Sequence, residues 1–283
     1  MMLFLRKISA TFLFEFSRSL TASRISTSLI LAFFAPIMLT LIGFWLPKTV
    51  ESSGIPYPLL VLSVFHLLAV LLAVLLWATP VVFSELEGKT WAYLAIRPHG
   101  KLCSTLGKYF NAVFWASATA SVSLGLSCLV VNYFPWNFNP AVFGDGVTMG
   151  QLEMLKQSNR PMVVFYSLLP CLFLGSMAFS AIFVHIGLIS HKRGMILAVV
   201  YGIVETIFAF LPAIVRQFTV GFHLRNIGFK IADFNLNDEF PGYVTDDSGT
   251  GFHILAVLAI TVVHVAAAIY WLHAREYITA EEA

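Results

Sequence analysis

Six stretches of the chain are apolar for long enough to cross a bilayer as helices, at residues 28–46, 58–83, 110–134, 162–190, 195–213 and 253–272. A hydrocarbon core about 30 Å thick needs about 20 apolar residues per helix, with a range of about 17 to 25. The second stretch is the cleanest, since Leu59 to Val82 contains no charge and a single histidine, His66. Backbone polar groups in lipid must be satisfied within their own segment, so helices are the elements expected. The pattern predicts an all-α membrane protein with six transmembrane helices in one domain, residues 27–283. No internal repeat is visible, which gives no support to an inverted-repeat transporter.

Residues 1–26 follow a different pattern. Leu5, Ile8, Phe12, Phe16 and Leu20 recur at steps of three and four, with Arg6, Lys7, Glu15, Arg18 and Arg24 between them. This predicts an amphipathic helix lying in the membrane interface, its rings in the acyl boundary and its bases near lipid phosphates. The first residues lack the pattern of a cleavable signal peptide and are expected to remain in the mature protein.

Composition agrees with this class. Hydrophobic residues make up 58% of the 283 and charged residues 11%, against about 25% charged in an average soluble domain. A net charge of +2 gives no reason to expect nucleic acid as a partner. Cys103, Cys128 and Cys171 are too scattered for a disulfide framework and read as packing residues.

The placement of the bases sets an orientation. With the N-terminus inside, eleven of the 17 Lys and Arg residues fall on the cytoplasmic side, among them Arg6, Lys7, Lys89, Arg97, Lys101, Lys108, Lys192, Arg193 and Arg275. Basic residues resist translocation, so both termini are expected to be cytoplasmic. The outer loops are then 135–161, with room for a short helix at 149–156, and 214–252. The second is too long for a plain connection. Its Phe218, Phe222, Leu224, Ile227 and Phe229 suit short helices that dip into the interface, and 238–251 reads as exposed turns.

The inner loop at 84–108 is the most informative segment. It carries Glu85, Glu87, Gly88, Thr90, Arg97, Pro98, Gly107 and Lys108 in that order. Two carboxylates precede a short helix predicted over 90–96, where they favour its N-terminus by about 0.3–1 kcal/mol, and Pro98 stops it. A stiff short helix between two spans transmits displacement well. These residues resemble the loop of the type-2 permeases of the ABC transporter superfamily: acidic, x, Glu, Gly, x, Thr, then Arg-Pro, then Gly-Lys entering the third span. His99-Gly100 stands where members of that family often have a second basic residue.

The resemblance implies a good deal. Glu85, Glu87, Gly88, Thr90, Arg97, Pro98 and Lys108 would form the contact with an ATP-binding cassette ATPase on another chain. The permease would pair with a second copy or a paralogue in a prokaryotic cytoplasmic (inner) membrane and export an unidentified substrate. It would have no catalytic residues and bind no cofactor, and ATP and Mg2+ would sit on the partner ATPase.

Ionisable groups inside the spans form a second candidate site. Glu205 lies near the middle of the fifth span, where a carboxylate costs about 2.5–3.5 kcal/mol and needs a partner or water. His66, His185 and His264 on other spans are the candidate partners, with Glu205 and His264 a possible proton-linked pair. Such a pair would line a translocation path or simply fix helix packing. No two of these ligand types share a helix face at metal-binding spacing, so no metal site is expected. The Ser117, Thr119, Ser121, Ser123, Gly125 and Ser127 run of span three reads as packing, and Thr79-Pro80 and Leu211-Pro212 mark helix kinks.

No Gly-x-x-x-x-Gly-Lys-Ser/Thr run, Gly-x-Ser-x-Gly elbow or Cys-x-x-Cys pair occurs. Two other classes remain open. One is an intramembrane enzyme or redox protein using Glu205 and the span histidines; the other is a structural or assembly component of a membrane complex.

Overall fold

The computed structural model describes residues 2–45, 58–81, 85, 91–133, 153, 157, 160–190, 193–210, 214–234 and 248–274. Among these residues there is no strand. The helices are α1 (Met2–Ser19), α2 (Ala22–Trp45), α3 (Pro58–Ala78), α4 (Trp91–Ala95), α5 (Gly100–Tyr133), α6 (Pro161–Ile189), α7 (Gly194–Phe210), α8 (Val220–Ile231) and α9 (Thr250–Ala274), with 3-10 turns at Thr79–Val81 and Ile214–Phe218.

Five of the helices, α2, α3, α5, α6 and α9, are long and apolar enough to cross a membrane. They make this a multi-pass membrane protein. The stretch expected as a sixth span, 195–213, holds α7, which is apolar but only 17 residues long. At 1.5 Å per residue it reaches about 25 Å, and 211–213, with the Leu211-Pro212 kink, lie outside the described residues.

Helix ends differ from the apolar runs for a simple reason: a helix outside hydrocarbon has no need to be apolar. The 34-residue α5 starts at Gly100 rather than at 110 and carries Lys101 and Lys108 on its first turns. Likewise α2 starts at Ala22, and the helix expected over 1–26 divides at Leu20–Thr21. At the end of α3 the Thr79-Pro80 pair forms a 3-10 turn.

The bundle is organised around α6, which packs on α3, α5, α8 and α9. Phe179, Phe183, Ile182 and Leu188 of α6 are almost wholly buried. Such a helix, apolar on every side, needs protein or lipid all round it. On α5, Thr119, Ser123 and Ser127 are buried at i, i+4 spacing, which agrees with packing. By contrast α2, α7 and α9 leave Ile30 71%, Ile196 65% and Leu255 68% exposed, the apolar outward face that lipid covers.

Two elements sit differently from their sequence-based expectation. Helix α1 packs along α5, and its most buried residues are Glu15 and Ser19 while Leu13 and Phe14 stand out. Ser19 Oγ accepts from Trp115 Nε1 at 2.7 Å, and Phe16 lies against Phe114 and Trp115. The segment from Val220 is not a surface loop. Every residue from Val220 to Phe229 in α8 is buried, against α6, α9, α7 and α3. Phe222, Leu224, Ile227 and Phe229 face protein rather than the interface; of the five apolar residues expected there Phe218 alone stands exposed, as do Ile214 and Val215 before it. Most of the 135–161 loop, of its expected 149–156 helix and of 238–251 lies outside the described residues.

Candidate functional site

The 84–108 loop is held between α1 and α5 at one end of the bundle. Of its candidate residues, Glu85, Arg97, Pro98 and Lys108 are described, and Glu87, Gly88 and Thr90 are not. Glu85 and Lys108 form an ion pair with side chains 11% and 7% exposed. It ties the start of the loop to α5. The predicted helix over 90–96 is found as the five-residue α4. Beyond it the chain turns at Pro98 and His99, whose φ is 59°. That left-handed turn brings Gly100 so close to Leu94 that a β-carbon there would stand 2.3 Å from the Leu94 carbonyl oxygen. Only glycine fits.

The apex of this loop is fastened to the first helix. Lys7 Nζ donates to the Pro98 carbonyl at 3.3 Å, and the His99 ring lies edge-on to Phe4 at 6.0 Å. At Gly107 a β-carbon would stand 2.8 Å from Thr11, so the glycine of the Gly-Lys pair lets α1 and α5 approach closely there. On the open side of the loop Tyr93 and Ile96 are 66% and 80% exposed, beside exposed Arg97. The segment thus presents an apolar and basic knob on a base joined to two helices.

Glu205 on α7 is 3% exposed and does have partners, though not histidines. Its Oε1 accepts from the Gly221 backbone N–H at 2.8 Å, and its Oε2 from Tyr201 Oη at 3.0 Å. Gly221 belongs to the first turn of α8, so the carboxylate caps a helix N-terminus, where the dipole favours an anion. Thr219 completes the cap by accepting from Phe222 N–H. One helix turn on, Arg225 Nη2 donates to the Ala209 carbonyl at 2.8 Å. Helix α7 is therefore pinned to α8 by a carboxylate at one point and a guanidinium at the next.

The candidate partners of Glu205 bond elsewhere. His264 Nδ1 lies 3.0 Å from His185 Nδ1, joining α9 to α6. His66 is 1% exposed, with Nδ1 2.9 Å from the Leu62 carbonyl of its own helix. His66 and Arg225 line one cavity of about 30 Å³ between α3, α6 and α8, about the space of a single water. A second histidine pair, His223 and His253, joins α8 to α9 with Nδ1 atoms 2.9 Å apart. Since His223 Nε2 lies 2.8 Å from the Gln217 carbonyl, that nitrogen donates. A neutral His223 then accepts at Nδ1 from His253 Nδ1–H. No group of three or more metal-ligand types occurs among the described residues.

No protein-family model matches the chain, and no curated protein matches it.

Arg225, His223 and His253 carry polar contacts that reading the sequence passed over. The signal was present: Phe222, Leu224, Ile227 and Phe229 alternate with His223, Arg225 and Asn226 at helical spacing. Four charged residues between 214 and 234, Arg216, Arg225, Lys230 and Asp233, bring the hydropathy below that of a span, and only the fold supplies the carbonyls that Arg225 and Lys230 meet.

Proposed function

We propose that this chain is the membrane-spanning permease subunit of an ATP-driven exporter of the type-2 ABC class, powered by an ATPase on a separate chain. The observation that carries this reading is the ordered run Glu85, Glu87-Gly88, Thr90, Arg97-Pro98, Gly107-Lys108. The geometry of its described members supports it. A knob of Tyr93, Ile96 and Arg97 is what a soluble partner needs to grip. Movement of the knob would pass to α1 through Lys7 and Pro98, and to α5 through Glu85 and Lys108.

In this reading α7 counts as the sixth span, α1 lies at the interface, and both termini face the cytoplasm of a prokaryotic cell. A second copy or a paralogue completes the path, and ATP and Mg2+ bind on the partner. The capped N-terminus of α8 favours packing over path-lining for Glu205, because both carboxylate oxygens are already engaged.

Co-expression with ATP-binding cassette ATPases from the same genome tests the proposal. The permease and one of these ATPases should co-purify and hydrolyse ATP. Arg97→Glu should weaken their association about tenfold or more through like-for-unlike charge replacement at an exposed site, with the melting temperature of the permease unchanged. Failure of the wild-type chains to associate would overturn the reading.

A further inference from the structure

A polar cavity of about 240 Å³ opens where α1, α2, α3 and α5 meet, lined among others by Glu15, Arg18, Arg24, Trp77, Lys108 and Asn111. Its volume is several times the about 30 Å³ taken by one water. One of its groups stands out. Glu15 is 8% exposed, and its carboxylate has no ion-pair partner among the described residues. A ligand with N–H donors would give it one.

Cations line the same cavity. Arg18 and Arg24 supply guanidinium groups suited to a phosphate. Arg24 also lies over the Trp77 ring at 5.3 Å, and Trp77 stacks on Trp115 at 5.3 Å between centroids, which holds that guanidinium in place. Lys108 is engaged by Glu85 and adds positive potential. The cavity therefore offers groups for an anion and for a cation, with Leu76, 41% exposed, at its lining for the apolar neck of a lipid.

We propose that this cavity binds the phosphoethanolamine headgroup of a membrane lipid: the phosphodiester on Arg18 and Arg24, and the ammonium donating to the Glu15 carboxylate. A purely anionic headgroup would leave Glu15 facing like charge. A trimethylated ammonium has no N–H to give the Glu15 carboxylate. The site lies at the joint of α1 and α2, so a bound lipid would hold α1 against the bundle. This assignment does not depend on the exporter reading.

Native mass spectrometry of the protein released from vesicles that contain equal amounts of phosphatidylethanolamine, phosphatidylglycerol and phosphatidylcholine tests it. Wild-type protein should retain phosphatidylethanolamine about tenfold over phosphatidylcholine, the difference expected of one charge-assisted hydrogen bond. Glu15→Gln should shift the ratio of phosphatidylethanolamine to phosphatidylglycerol toward phosphatidylglycerol, and Arg18→Gln should lower retention of all three. Each ratio is read within one variant, so it needs only the folded fraction. Equal retention of the three lipids by wild type, or an unchanged ratio in Glu15→Gln, would overturn the proposal. So would competition by soluble phosphoethanolamine at concentrations equal to the lipid, because the source would then be a free phosphate ester.

Discussion

Replacing Glu205 separates a structural clasp from a group that works by its charge. In Glu205→Ala the bonds from Gly221 N–H and Tyr201 Oη, at 2.8 and 3.0 Å, are both lost. Hydrogen bonds to a charged group contribute about 1.5–3 kcal/mol each, and the cost of holding the carboxylate in the membrane, about 2.5–3.5 kcal/mol, is relieved at the same time. The net loss is about 2 kcal/mol. Glu205→Gln keeps an oxygen for Gly221 and offers an N–H to Tyr201, so it should cost less than about 1 kcal/mol. Thermal unfolding in lipid nanodiscs reads the difference. At roughly 2–4 °C per kcal/mol, the alanine variant should melt about 5 °C below wild type and the glutamine variant within about 2 °C of it. Equal losses in the two variants would refute the clasp and assign the effect to charge.

Other substitutions test the remaining joints. Lys108→Met alone should destabilise the protein by about 3–5 kcal/mol, because it leaves Glu85 buried without its cation; adding Glu85→Gln should recover most of that in a double-mutant cycle of melting temperatures. Gly107→Leu should push α1 away from α5, since a β-carbon there already stands 2.8 Å from Thr11, with a loss of about 1–3 kcal/mol and faster proteolysis between residues 19 and 22. His253→Phe removes the donor to His223 and should lower stability by about 1–3 kcal/mol, with exchange of the α8 amides increasing on deuteration. Ile96→Asp, at a side chain 80% exposed, should leave melting unchanged and reduce binding of the ATPase.

The spans were legible because lipid acts on composition: a run such as Leu59 to Val82 has one stable arrangement in a bilayer. Helix ends were less legible, since Lys101 and Lys108 interrupt an apolar run without interrupting α5. Helix α8 was the least legible element. Its Arg225 and His223 read as loop residues until the Ala209 and Gln217 carbonyls that receive them are in place. The site followed the same division. Order along the chain exposed the 84–108 motif, whereas the partners of Glu205 depended on two helices whose meeting no local pattern encodes. Glu15 shows the same limit, as a residue of the polar stripe that the fold turns inward against α5.

The central claim is that an ATPase on another chain grips the knob formed by Tyr93, Ile96 and Arg97. Cysteine cross-linking from position 96 in membranes that contain this chain and a co-expressed ATP-binding cassette ATPase tests it most directly. Ile96→Cys should form a cross-linked product with the ATPase, and ATP should change its yield. A cysteine at the outward-facing Ile30 should form none. Cross-linking from Ile30 but not from position 96, or from neither, would contradict the account.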